Sequence, residues 1–166
     1  MAKEPEPKES AEAGQPTPVV ASELDERTHA EMLMLYHECA TSVRFAKLQQ
    51  WHTTGGALLI FVVLGILGTF GPRYGFFTKA NIIVSLMVSG GSIYSLAIYQ
   101  FWQQAERGKL HMISDRFSNI LREVRGYTPP REANVHRYIL LFFMIGTIVL
   151  GNWLLILYLS PYMRYA

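Results

Sequence analysis

Charge is missing from three long windows of this chain. No Asp, Glu, Lys or Arg occurs in residues 48–72, 80–105 or 138–163, although the 166 residues include 15 Lys and Arg and 13 Asp and Glu. A helix rises about 1.5 Å per residue, so each window exceeds the roughly 20 residues that cross about 30 Å of hydrocarbon. The windows are continuous apolar runs rather than alternating ones, which excludes the strands of a membrane barrel. Three of them in so short a chain leave little room for a soluble core. Cysteine is almost absent. The single Cys39 excludes an intramolecular disulfide and a cysteine-rich metal or iron–sulfur site. The start, Met1-Ala2-Lys3-Glu4-Pro5, has neither an apolar core behind a basic end nor a glycine for myristoylation, so the first membrane helix is expected to serve as the targeting signal.

Ionisable side chains are also missing at depth. The polar side chains to weigh within the spans are Gln100, near the inner interface, and Asn152, beside Gly151 and Trp153, whereas transporters and pumps usually keep an ionisable group at depth. All five histidines, His29, His37, His52, His111 and His136, lie at or beyond the ends of the windows, which argues against a haem or chlorophyll held at mid-membrane. No nucleophile elbow, phosphate-cradling loop or paired carboxylate motif occurs, so the chain reads as no enzyme, with no small-molecule substrate.

What is present is an all-α membrane protein with three transmembrane helices, the first two forming an antiparallel hairpin with amphipathic cytosolic extensions. Residues 1–21, rich in Pro, Glu, Lys and Ala, bury too little to offset ordering entropy and read as a disordered tail. Ser22, with Asp25 three residues on, predicts a helix start. A cytosolic amphipathic helix follows over 22–50 and runs without a breaker into the first span, 51–70. An external turn at 71–79 is short enough to force the hairpin. The second span, 80–105, passes into a second cytosolic amphipathic helix, 106–127, as one long helix. Gly126 and Pro129-Pro130 stop it, 128–137 is a linker and helix start, 138–159 is the third span, and Ser160-Pro161 leads into an external C-terminus, 160–166.

Two surfaces invite packing. Ser85, Ser89, Gly90, Gly91, Ser92 and Ser95 make the second span's small-residue face, with Gly65 and Gly68 of the first span placed to receive it and Asn152 as interhelical glue. Outside the membrane, Leu33, Tyr36, Ala40 and Val43 form one apolar face. Leu110, Ile113, Phe117, Ile120, Leu121 and Val124 form a stripe of coiled-coil width. The two are expected to zip into a stalk under the hairpin.

Orientation follows from basic residues near the span ends. Arg44, Lys47, Arg107, Lys109, Arg116, Arg122, Arg125, Arg131 and Arg137 share one side; only Arg73, Lys79 and Arg164 lie on the other. Positive residues stay inside, which places the N-terminus in the cytoplasm and the C-terminus outside, as in a bacterial inner membrane. The acidic residues interspersed among these arginines make nucleic acid a poor partner.

Candidate metal chemistry is sparse. His111 with Asp115, and Glu132 with His136, have i, i+4 spacing and the right donor types, yet such pairs are mostly solvated helix contacts. Glu26 and His29 match half of a di-iron motif whose other half is not in the sequence. No cofactor is expected. In helix order around residues 24–126 the chain is similar to the SLATT group, small two-span effectors of bacterial defence systems; its third span departs from that pattern. The resemblance implies a self-assembling pore, effector- or holin-like, in which the span-two serines line a polar path. The residues themselves favour a non-enzymatic assembly or accessory subunit, packed through the second span and stalk into a homo-oligomer or with other membrane subunits. A metal-binding accessory subunit of a membrane enzyme is the third expectation.

Overall fold

The computed structural model describes residues 24–70, 75–118 and 130–163. These form three helices: α1, Glu26–Phe70, α2, Gly75–Ser114, and α3, Pro130–Met163, with no strand among the described residues. All three are long and apolar enough to cross a membrane, as a multi-pass membrane protein requires. At 45, 40 and 34 residues they measure roughly 68, 60 and 51 Å, so each extends well beyond the hydrocarbon.

Contacts between named residues give the relative directions. The group around Cys39 of α1 packs on Leu110, Ile113 and Phe117 of α2, while Gln50 meets Leu96, Gln100 and Gln103. Partner numbers fall along α2 as they rise along α1. Against α3 they rise together: a Cβ on Gly65 would meet Leu155, one on Gly68 would run into Leu159, and Thr69 shares a hydrogen bond of 2.8 Å with Tyr158.

One spacing organises the buried positions. On α1 they are Cys39, Ala46, Gln50, Thr54, Ala57, Phe61 and Leu64. On α2 they include Asn81, Ser85, Ser89, Leu96, Gln100, Gln103, Glu106, Leu110, Ile113 and Phe117, and on α3 Met144, Ile148, Asn152, Leu155 and Leu159. Steps of three and four residues, or sums of them, repeat the 3.5-residue period of a left-handed coiled coil. Within the apolar windows the inward face is the more polar one. Thr54, Asn81, Ser85, Ser89 and Asn152 are buried, while Leu59, Val62, Ile66, Met87, Phe142 and Leu154 point outward. This polarity suits lipid, which solvates leucine as well as a protein core does, so small and hydrogen-bonding residues are the ones that gain from the interface. Gly151 lets α3 come close: a Cβ there would sit 3.1 Å from Leu58 Cδ2 and Phe61 Cδ2.

Several boundaries differ from the sequence reading, each for a local reason. Asp25 rather than Ser22 caps α1, its Oδ2 accepting from the Thr28 amide at 3.3 Å and its carbonyl from His29 N at 2.9 Å; Ser22 lies outside the described residues. Hydrogen bonding from the Thr28 side chain first, and from its amide second, holds the Asp25 carboxyl below its ordinary value. Helix α2 begins at Gly75, within the expected turn, and seats Thr78 in the buried seam. It ends at Ser114, and residues 119–127 of the expected extension lie outside the described residues. After Ser114 the ladder tightens, with Arg116 N bonding Ile113 O and Phe117 N bonding Ser114 O, while the Ser114 hydroxyl takes the His111 carbonyl. The His111 carbonyl keeps its helical bond from Asp115 N at 3.1 Å, so the Ser114 hydroxyl adds a second donor to it. At the far end Pro161 does not stop α3. Proline removes the amide that would serve the Leu157 carbonyl, and the Ser160 hydroxyl donates to it instead at 3.0 Å.

Candidate helix-packing site

The polar seam between α1 and α2 reaches its densest point where the apolar windows end. Gln103 Nε2 donates to Gln50 Oε1 at 3.0 Å; Gln50 Nε2 in turn faces both Gln100 Oε1 and the Leu96 carbonyl at 3.4 Å. The three side chains are only 4%, 7% and 2% exposed for Gln50, Gln100 and Gln103, so the amides bond one another in place of water. Each such bond is worth about 0.5–1.5 kcal/mol net, whereas an orphaned buried partner costs about 1–3 kcal/mol. Gln100 Nε2 ends the chain as a buried donor with no partner. The arrangement pins the register of the two helices, because a slip by one residue would orphan several amides together.

Two turns along α2 from Leu96, the serines serve a different purpose. Ser85 and Ser89 are buried and bond their own helix, to the Ile82 carbonyl at 2.8 Å and the Ser85 carbonyl at 2.9 Å. Ser92 and Ser95 are half-buried, and Ser95 bonds the Gly91 carbonyl. Gly90 and Gly91 do not join this inward set. They are exposed, and a Cβ on either would meet nothing within 4 Å. Gly65 and Gly68, expected opposite the second span, instead face Leu155 and Leu159 of α3. They lie one helical turn beyond the buried Phe61 and Leu64, where α3 packs against α1. Asn152 is buried beside them on α3, its Oδ1 without a hydrogen-bond partner, as is Asn81 Nδ2 on α2.

Below the glutamines lies the stalk cluster. Cys39, Leu110, Ile113 and Phe117 form its core, with Met32, Tyr36, Ala40 and Val43 packed around them. Phe117 closes the end, edge-on to His29 at 5.1 Å and to Tyr36 at 6.4 Å between ring centroids. Leu33 is not in the seam. It is 56% exposed, since the three-four spacing runs through Met32, Tyr36 and Cys39 and turns position 33 outward. Ile120 and Val124, the last predicted seam residues, lie outside the described residues. Between stalk and glutamines, Glu106 is buried and accepts from Lys109 Nζ at 2.7 Å. That bond, then one from the Cys39 thiol, holds the Glu106 carboxyl below its ordinary value. Burial and the same carboxylate push the Cys39 thiol up.

The predicted metal candidates are scattered by comparison. His111 and Asp115 are exposed near the end of α2 and His136 is exposed near the start of α3; the Glu132 side chain is not among those described. Among the described residues no three His, Cys, Asp or Glu side chains come together in a way that could hold a metal ion.

Gln50, Gln103, Asn81 and Thr54 were not singled out by the charge-free windows. The signal that finds them is the three-four spacing extended from Cys39 through Ala46 to Ala57. A reading by windows cut the chain at residue 50, through the middle of that seam. No protein-family model matches this chain, no curated protein matches it, and no solved structure matches it.

Proposed function

We propose that this chain is a non-enzymatic membrane assembly or accessory subunit, in which α1 and α2 form an antiparallel hairpin with a cytosolic stalk and α3 braces it. The observation that carries the reading is the division of labour on α2. Its hydrogen-bonding residues Ser85, Ser89, Gln100 and Gln103 face inward within the chain, and bare backbone at Gly90 and Gly91 faces outward. Inward serines bonded to their own carbonyls are poorly placed to line a water path. Outward glycines let another helix, from a second copy or another membrane subunit, approach closely at mid-span. The excess of basic residues on the stalk side puts stalk and N-terminus in the cytoplasm, with the bilayer of a bacterial inner membrane as the setting.

Purification in mild detergent tests the reading. The wild-type chain is expected to elute with copies of itself or with other membrane proteins, and Gly90→Leu to elute alone with its helix content unchanged. Equal assembly of the two proteins refutes it. Saturable ion flux from the purified chain in liposomes, lost in Ser85→Val with Ser92→Val at unchanged oligomer size, would favour a pore instead.

A further inference from the structure

An apolar surface of α1 stands uncovered outside the membrane. Ala30, Leu33, Met34, Tyr36 and His37 line an open groove of about 520 Å³, and Leu33 and Met34 are mostly exposed. Leu33 lies about 22 Å of helix before Leu48, where the charge-free window opens, so lipid tails do not reach it. Within the membrane the same side of α1 meets α3. Counting back in sevens, the repeat of a left-handed coiled coil, Gly65 and Leu58 lead to His37 and Ala30, and Gly68 and Phe61 lead to Leu33. Yet α3 starts too late to cover the groove. Pro130 comes about 12 Å before Tyr138, which bonds Gln104, so α3 begins near the level of Leu110 and Ile113, the partners of Cys39. The groove residues all precede Cys39 on α1 and lie beyond that level.

The chain next to this groove is residues 119–129, which join Ser118 to Pro130 and lie outside the described residues. One end is held beside the groove, because Phe117 packs edge-on to His29 and Tyr36. The other end is the start of α3. Fully extended, the segment reaches up to about 36 Å, far more than the roughly two turns of helix that separate its ends in height. It therefore has the length to follow the surface. Its side chains match the groove as well. Ile120, Leu121 and Val124 are large and apolar in a stretch that has no hydrocarbon to enter. Arg122 and Arg125 outnumber Glu123, while on this part of α1 the exposed Asp25, Glu26, Glu31 and Glu38 outnumber Arg27. We propose that residues 119–129 dock on this groove, with Ile120, Leu121 and Val124 filling it and Arg122 and Arg125 toward the acids of α1. Removal of apolar surface from water drives the contact. It fastens the start of α3 to the stalk end of α1, so that movement of the stalk is passed to the third span. The inference is independent of whether the chain assembles.

Limited trypsin digestion of the full chain in mild detergent tests the contact, with the cuts after Arg122 and Arg125 timed by mass spectrometry. Leu33→Asp with Met34→Asp should speed these cuts by about fivefold or more at unchanged helix content, since neither residue belongs to a buried core. Leu35→Asp with Met112→Asp changes two exposed apolar residues away from the groove and should leave the rate as in the wild type. Equal rates in all three proteins overturn the proposal, and so does equal acceleration by both pairs. Protection that fades on dilution would assign the groove to a second copy and overturn it too. Disulfide formation gives an independent measurement. In a Cys39→Ala background, Leu33→Cys is combined in turn with Ile120→Cys, Leu121→Cys and Val124→Cys. At least one combination is expected to close within a chain severalfold faster than the same partner does with Leu35→Cys, which lies about 200° around the helix from position 33. No preference for Leu33→Cys, or a faster bond from it to Val20→Cys in the N-terminal segment, refutes the docking.

Discussion

Replacing Gln50 by leucine tests whether the three glutamines act as a unit. Gln50 is the middle of the chain: its oxygen accepts from Gln103 and its amide faces both Gln100 and the Leu96 carbonyl. Gln50→Leu therefore orphans the Gln103 donor and the Gln100 acceptor in a place where neither reaches water. At about 1–3 kcal/mol for each orphan, the expected loss is about 2–6 kcal/mol. Gln103→Leu leaves only the Gln50 oxygen without its partner and should cost about 1–3 kcal/mol. The double variant decides the matter, because removing both partners leaves fewer orphans than the single changes summed. It should be less destabilised than the sum by about 0.5–2 kcal/mol, allowing for the modest coupling found between membrane helices. Unfolding in mixed micelles of increasing denaturing detergent, followed by circular dichroism, gives all four stabilities. Half-buried Gln49, next to the node, supplies the control, and Gln49→Leu should change stability by less than about 0.5 kcal/mol. Strict additivity of Gln50→Leu and Gln103→Leu would refute the idea that these amides hold one another.

Three further outcomes are expected. Phe117→Asp should destabilise the stalk by about 3–5 kcal/mol, since it removes a buried ring and buries a charge, whereas Met112→Asp, at a position 73% exposed, should be nearly silent; equal losses would mean that the stalk seam does not exist. Topology cannot be read from Cys39, whose buried thiol with a raised pKa should resist reagents from either side. In a Cys39→Ala background, Met34→Cys should therefore stay unlabelled by an impermeant thiol reagent in intact cells while Phe76→Cys labels, and the reverse pattern would invert the orientation. The Glu106 carboxyl is held below its ordinary 4.5, so its contribution is fully present above that value and is lost as pH falls through the lower folded one. Helix content in detergent should then decline below about pH 4, and less so in Glu106→Gln; identical acid profiles would show that the Lys109 and Cys39 contacts contribute nothing.

The number of membrane helices could be read from the sequence because absence of charge over a long window has one physical meaning in a helical chain. Helix ends were harder. Near the end of α2 and again beside Pro161 in α3 a serine hydroxyl, of Ser114 and of Ser160, takes a carbonyl three residues back, so the same local contact accompanies a helix that stops and one that goes on. Tyr36, Ala40, Val43, Leu110, Ile113 and Phe117, which share apolar faces by spacing alone, do pack together. Leu33 misled: it is apolar, yet one position off the seam and 56% exposed.

Within the apolar windows hydrophobicity alone does not tell the faces apart, since Leu96, Ile148 and Leu159 are buried as well. Leu59, Met87 and Phe142 face outward while Thr54, Ser85 and Asn152 face inward, so the informative residues are the few polar ones and their spacing. Ser85 and Ser89, four apart, met that criterion. Gly90 and Gly91 follow Ser89 directly but lie one and two steps, about 100° and 200°, around the helix from it. A cluster adjacent in sequence is thus divided between two faces. The serines fall in the seam that runs from Cys39 and Phe117 through the glutamine node to Leu64 and Asn81, and the glycines are turned outward. Since one spacing carries that seam unbroken from stalk to span, a change in the stalk has a packed route into the membrane through Glu106, Gln103 and Gln50. On the proposed reading the outward glycines, where an added Cβ would meet nothing within 4 Å, take the assembly partner without disturbing that route.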